Sequence, residues 1–218
     1  MTISSLRSVI LSGSEPNFRS AELINTAKSL KNGEIALASE LCFNGYKAFD
    51  DIAILNQIQS NLPNNAYLGF TRLNDKFNQF TLISNQGIIY TQNKSYAFKP
   101  SKEDEKFITG DENLIKLFEL NGVKIGVLIC FEIRFIHLWK QLQGADLILV
   151  PAMWGKARKE HFITLCKALA LQNRCFVVCC SDIDLKFGTI FAPDGVDLGI
   201  KSDFNPNKIL EFKQSIGL

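Results

Sequence analysis

The chain has 218 residues, 46% hydrophobic and 21% charged, and its 24 basic and 22 acidic side chains leave a net charge of +2. A chain of this size buries roughly 70% of its unfolded surface and folds without covalent staples, so disorder and fibrous repeats are excluded. The near-balance of charge excludes nucleic-acid or membrane binding driven by net charge.

In chain order, MTISSLRSVILSGSEPN carries one arginine and only a short apolar piece, and it lacks the apolar region and cleavage site of a leader. No later run approaches the roughly 18 apolar residues of a membrane span. The expected setting is the cytoplasm, with Cys42, Cys130, Cys166, Cys175, Cys179 and Cys180 as reduced thiols. Residues 7–11 suit a first strand. Residues 14–31 place Ala21, Ile24, Ala27 and Leu30 on one helical face, and Asn32-Gly33 stops that helix. EIALAS (34–39) reads as a buried strand ending at Glu40. Segments 66–71, 77–84 and 87–90 read as a meander of strands. Residues 91–110 form a polar, mixed-charge loop, of the kind that is usually functional or disordered.

Beyond the loop, 114–120 and 123–130 suit two strands around Asn121-Gly122. A helix follows over 134–143, then a strand over 146–151, a helix over 158–173 and a strand over 175–181. The tail, 188–218, offers weaker strands and the turn Pro193-Asp194-Gly195. Strands alternate with helices and no linker divides the chain, which predicts one α/β domain of mixed sheets covered by helices.

Three residues invite chemistry. Cys130 ends the apolar strand VKIGVLIC and precedes FEIRF. A nucleophile at such a strand-to-helix turn is exposed at the sheet edge, where helix amides stabilise an oxyanion; a buried core cysteine is the plain alternative. Glu40 follows directly on IALAS, where a carboxylate must be solvated, paired or protonated. Lys94 lies among Tyr90, Tyr96 and Phe98, either exposed or held in a partly apolar pocket where its charge serves an oxyanion.

Taken together and in order, these segments resemble the nitrilase superfamily of carbon–nitrogen hydrolases. SELCFNGY (39–46) is similar to the family's Pro-Glu-Leu…Thr-Gly-Tyr motif, and IIYTQNKSYAF to its Tyr-Arg-Lys-x-His-Leu-Phe motif. VKIGVLICFEIRF resembles the nucleophile motif Gly-Val-x-x-Cys-[Tyr/Phe]-[Asp/Glu]-x-Arg-Phe. QGADLILVPAMWG and FAPDG match later segments. The resemblance implies an αββα sandwich of two mixed sheets, often paired as homo-oligomers, and a catalytic triad of Glu40, Lys94 and Cys130. It implies an auxiliary second glutamate before Phe107 and Gly110, assigned to Glu105 with Glu103 close behind, and an oxyanion contact from the Phe131 amide. Tyr46, Glu132, Arg134 and Trp154 are candidates for the substrate pocket, and a core role for Trp154 is equally open. The implied partner is a small amide, carbamoyl compound or nitrile, with no metal, organic cofactor, nucleic acid or membrane.

The chain departs from the pattern in places. Glu132 replaces the frequent aspartate, Ile136 the proline after Arg-Phe, and Tyr96 the histidine of the lysine motif. Arg-Ala-x-Glu-Asn reads Leu169-Ala170-Leu171-Gln172-Asn173. His137 and His161 show no zinc spacing with the cysteines. A non-catalytic binding or scaffold domain, and acyl transfer by the same triad, are the competing functions. Convergence of Glu40, Lys94 and Cys130 on one pocket separates the enzyme from the scaffold. Rim segments at 43–51, 91–110 and 154–159 are expected to set specificity.

Overall fold

The computed structural model describes residues 2–43, 45–47 and 51–218. The first sheet has six strands in the order β11-β1-β2-β3-β4-β5. They are β1 (Ser5–Ser8), β2 (Glu34–Leu37), β3 (Tyr67–Asn74), β4 (Phe77–Ser84), β5 (Gly87–Asn93) and β11 (Lys201–Asp203). The second sheet has five in the order β10-β9-β8-β7-β6. They are β6 (Phe118–Leu120), β7 (Val123–Val127), β8 (Leu147–Ala152), β9 (Phe176–Ser181) and β10 (Phe187–Phe191). Each sheet has a parallel core, β1-β2-β3 or β7-β8-β9, with antiparallel strands outside it.

Alternation along the strands creates four layers. Leu6, Ile35, Leu37, Phe80 and Leu82 meet Ile125, Val127, Leu147 and Leu149 between the sheets. The opposite parity, Ala36, Ala38, Leu68 and Phe70, packs on Leu23, Ala27 and Ile58 of α1 (Pro16–Ser29) and α2 (Ile52–Asn61). The second sheet is covered by α3 (Ile136–Gln141) and α4 (Lys159–Asn173), whose Phe162, Cys166 and Leu169 are buried. A final helix, α5 (Asn207–Ser215), anchors through Ile209. The layers are thus the expected αββα.

Several boundaries differ from the sequence expectation. The strand before Cys130 stops at Val127, and Cys130–Arg134 forms a short 3-10 turn. There the Glu132 carboxylate takes the Ile129 N–H at 2.6 Å, a bond that the sheet ladder loses. The segment 114–120 is extended only from Phe118, because Asp111 caps a 3-10 turn at Glu112–Leu114. The polar loop carries two more such turns, Lys99–Ser101 and Glu103–Glu105. Helices α2 and α5 were not foreseen. Of the rim segment 43–51, residues 44 and 48–50 lie outside the described residues.

Candidate active site

The C-terminal ends of β2, β7, β8 and β9 gather at one edge of the two sheets, the place where open α/β sheets put ligands. The chain leaves β2, runs beside β3 and crosses to the other sheet. There the Glu40 N–H donates to the Ala152 carbonyl at 3.2 Å. Leu41 then takes φ 47°, and its N–H is received by Thr71 Oγ1 at 2.7 Å. Glu40 is therefore fixed between the sheets and wholly buried.

A buried charge needs partners. Glu40 Oε1 receives Lys94 Nζ and Asn78 Nδ2, each at 2.7 Å, and Oε2 receives the Met153 N–H at 3.0 Å. Lys94 Nζ also donates to Glu103 Oε2 at 2.7 Å. Glu103 in turn receives the Phe98 N–H at 2.6 Å and the Tyr46 hydroxyl at 3.0 Å. Burial alone would push the Lys94 ammonium down, but Glu40, Cys130 and Glu103 together hold it well above the usual lysine range. The lysine therefore stays charged between two carboxylates.

Cys130 stands beside this cluster. Its backbone is left-handed, φ 51°, a conformation that costs a non-glycine residue about 1–3 kcal/mol and clusters at functional sites. Burial and the neighbouring Glu40 raise the thiol well above the usual cysteine range, against the pull of Lys94. Glu40 disfavours the thiolate and the Met153 backbone favours it. Such a thiol is held protonated, next to the carboxylate that can take its proton.

The expected triad thus comes together. Glu105 does not join it. Its side chain is 65% exposed and pairs only with Lys102 at 3.7 Å. The 3-10 turn points Glu103 inward and Glu105 outward, so Glu103 takes the position given to Glu105. Glu132 is also displaced from its expected place. It is wholly buried beneath the cavity rather than lining it, and it bridges the Ile129 and Ser95 N–H groups at 2.6 Å each. Desolvation pushes its carboxyl up to about 7. By these two bonds it ties the residue before Cys130 to the residue after Lys94.

Asn78 was missed. It shares the parity of Phe80 and Leu82 on β4, which face the inter-sheet core. A polar residue on that face is the signal that a partner must wait there. The Asn78 carbonyl also receives the Lys94 N–H at 2.8 Å.

Above Cys130 opens a cavity of about 310 Å³, near the lower end of the usual small-molecule range. Tyr46, Phe98, Phe131, Arg134 and Trp154 line it, so four of the expected residues besides Cys130 do face it. Trp154 combines both of its expected roles, for it is 4% exposed and packs on Phe162 while its ring underlies the Arg134 guanidinium at 5.0 Å. Gly155 and Arg158, from the rim segment 154–159 expected to set specificity, lie on the same wall, as does Asp184, which the sequence reading did not single out. Among the described residues no group of three or more His, Cys, Asp or Glu side chains is placed to hold a metal ion, and no helix is long and apolar enough to cross a membrane.

Layered sheets with a buried Glu, Lys and Cys at their shared edge define a carbon–nitrogen hydrolase architecture. The family profile described as "Carbon-nitrogen hydrolase" matches residues 65–202, and the chain belongs to that family. It is 30% identical over 134 residues to "Hydrolase in agr operon" of Staphylococcus lugdunensis, covering 60% of this chain and 55% of that protein. It is 27% identical over a 236-residue alignment to the 2-oxoglutaramate amidase of Bacillus subtilis, covering 92% and 88% respectively. Against several curated relatives the match spans only about half of the relative's length. Among solved structures, Nit3 of Saccharomyces cerevisiae, a member of branch 10 of the nitrilase superfamily, superposes with a TM-score of 0.80. It shares 15% identity, over 99% of this chain and 95% of that one, and shows the fold.

Proposed function

We propose that the chain acts as one catalytic domain that hydrolyses a small amide through a thioester on Cys130. The observation that carries this reading is the closed set of contacts joining Lys94 to Glu40 and Glu103 beside Cys130 at the foot of the cavity. Three buried charges cost several kcal/mol each to desolvate, and their placement against a thiol that opens on a cavity favours an enzyme over a scaffold. The amidase named among the relatives supports the same chemistry.

In the proposed cycle Cys130 Sγ attacks the amide carbon as its proton passes to Glu40. The carbonyl electron pair moves onto oxygen, and Lys94 Nζ with the Phe131 N–H stabilises that oxyanion. Collapse breaks the carbon–nitrogen bond, Glu40 returns the proton to the leaving amine, and a thioester remains. Water then attacks the thioester, giving its proton to Glu40. The second collapse releases the acid and restores the thiol. Glu103 keeps Lys94 charged and in place, with Tyr46 behind it. Water as the final acceptor separates hydrolysis from acyl transfer, which product analysis with added amines would reveal. The same reading places the protein in the cytoplasm as a homo-oligomer.

The test is a screen of small amides for ammonia release. Cys130→Ala is expected to lose all turnover while keeping its fold by circular dichroism. Full turnover by that variant would overturn the mechanism.

A further inference from the structure

The cavity wall carries separated charges of opposite sign. Arg158 Nη2 and Asp184 Oδ2 stand 3.2 and 3.4 Å from the point where a Cβ on Gly155 would lie. The absence of a side chain at residue 155 lets both groups come close over its Cα, at the edge of the cavity. No ion pair joins Arg158 to Asp184 among the described residues. Asp184 Oδ2 receives the Lys156 N–H at 2.9 Å, which fixes the carboxylate on the rim. The Arg158 guanidinium is held 5.1 Å from the Phe98 ring. A second cation, Arg134, lies above Trp154 on the same wall.

Two guanidinium groups suit a carboxylate, which takes paired hydrogen bonds of about 2.8 Å from arginine. Asp184 has the opposite preference. It repels a carboxylate and attracts an ammonium group. A ligand with only a carboxylate leaves Asp184 facing like charge, and an uncharged ligand gains no charge-assisted bond from any of the three groups. A ligand with a carboxylate and an ammonium on one carbon satisfies both sides of the space above Gly155.

We infer that the substrate is the side-chain amide of an α-amino acid, its carboxylate held by Arg158 and Arg134 and its ammonium by Asp184. This inference rests on the proposed amide hydrolysis at Cys130 and specifies its substrate class. Gly155 is then a positioning residue, because a side chain there would press on Arg158 and Asp184.

The test compares three amides of matched chain: L-glutamine with both charges, glutaric acid monoamide with the carboxylate alone, and 4-aminobutanamide with the ammonium alone. A parallel set uses L-asparagine, succinic acid monoamide and 3-aminopropanamide. Binding is measured by calorimetry on Cys130→Ala, and kcat/KM on the intact enzyme. In one set or the other the doubly charged amide is expected to exceed both singly charged ones by roughly tenfold or more, the worth of one charged hydrogen bond. Asp184→Asn is expected to remove that advantage by weakening the amino-acid amide, while the glutaric monoamide, relieved of a like charge, binds as well or better. Equal or better binding of the carboxylate-only amides with Asp184 in place, or an advantage of the amino-acid amide that survives Asp184→Asn, would overturn the inference while leaving amide hydrolysis intact. Selective binding of the amino-acid amide without turnover would instead overturn the hydrolase reading and keep this one.

Discussion

Glu103 and Glu105 lie two residues apart, yet only Glu103 is buried and touches Lys94. Glu103→Gln is expected to lower kcat by at least about tenfold, because Lys94 loses a charged partner, and Glu105→Gln to leave it unchanged. Steady-state kinetics on any amide found in the screen decides this, and equal loss in both variants would sink the assignment. Sequence could locate the pair but not choose between them. The choice is made by a 3-10 turn and by the Phe98 N–H, neither of which leaves a local pattern. Glu40 and Cys130 were legible because each follows an apolar run, and Lys94 because aromatic motif residues flank it at the start of the polar loop. The raised thiol of Cys130 gives a second expectation at this scale. The group stays protonated at neutral pH, so alkylation by iodoacetamide should keep rising with pH beyond about 9. A plateau reached by about pH 7 would mean a pre-formed thiolate instead.

At the scale of elements, the Cys130–Arg134 turn is held to the Lys94 segment by Glu132. The carboxyl of Glu132 sits at about 7, above its ordinary 4.5, because burial disfavours its charge. The folded state therefore binds this proton more tightly than the unfolded chain does. The contribution of Glu132 to stability is fully present below about pH 4.5 and is lost as pH rises through about 7, a swing on the order of 3 kcal/mol. Glu132→Gln should flatten the dependence of stability on pH across that window in urea titrations. An unchanged slope would remove Glu132 as its source. Periodicity revealed the long strands and α1 and α4, but the strand before Cys130 was read too long because IGVLIC is apolar to its end. What stops it is the Glu132 carboxylate, three residues past Ile129, which takes the N–H that the ladder would use. Helix α2 buries just Ile58 and α5 just Ile209, so neither writes a strong stripe into the sequence.

At the scale of the whole molecule, the two sheets are joined beneath the site by more than apolar packing. Asp182 after β9 receives Arg19 Nη2 of α1 at 2.8 Å and the Ser39 hydroxyl beside Glu40 at 2.6 Å. Arg19 and Asp182 have side chains only 4% and 0% exposed. Asp182→Asn leaves a buried guanidinium without its counter-charge, so a loss of about 3–5 kcal/mol is expected, seen as a lower Tm. Removing both charges with Arg19→Gln should restore much of it, and a loss as large in the double variant would locate the cost elsewhere. The layer order was legible from alternating strands and helices. The ion pair between α1 and the end of β9 was not, because its partners are 163 residues apart. In α4, Leu169 occupies the place where the family motif has arginine and is wholly buried in the core.

The six cysteines carry one more consequence. All are free, and all but Cys130 are sealed, with no exposure at all. Cys130 alone opens onto the cavity. The native molecule therefore contains its own stoichiometric label. A small polar alkylator should add one adduct per chain, and the intact mass should count competent sites directly, before any substrate is known. A fluorophore or cross-linker delivered by the same route would report ligand entry from inside the cavity, with no cysteine needing to be engineered away.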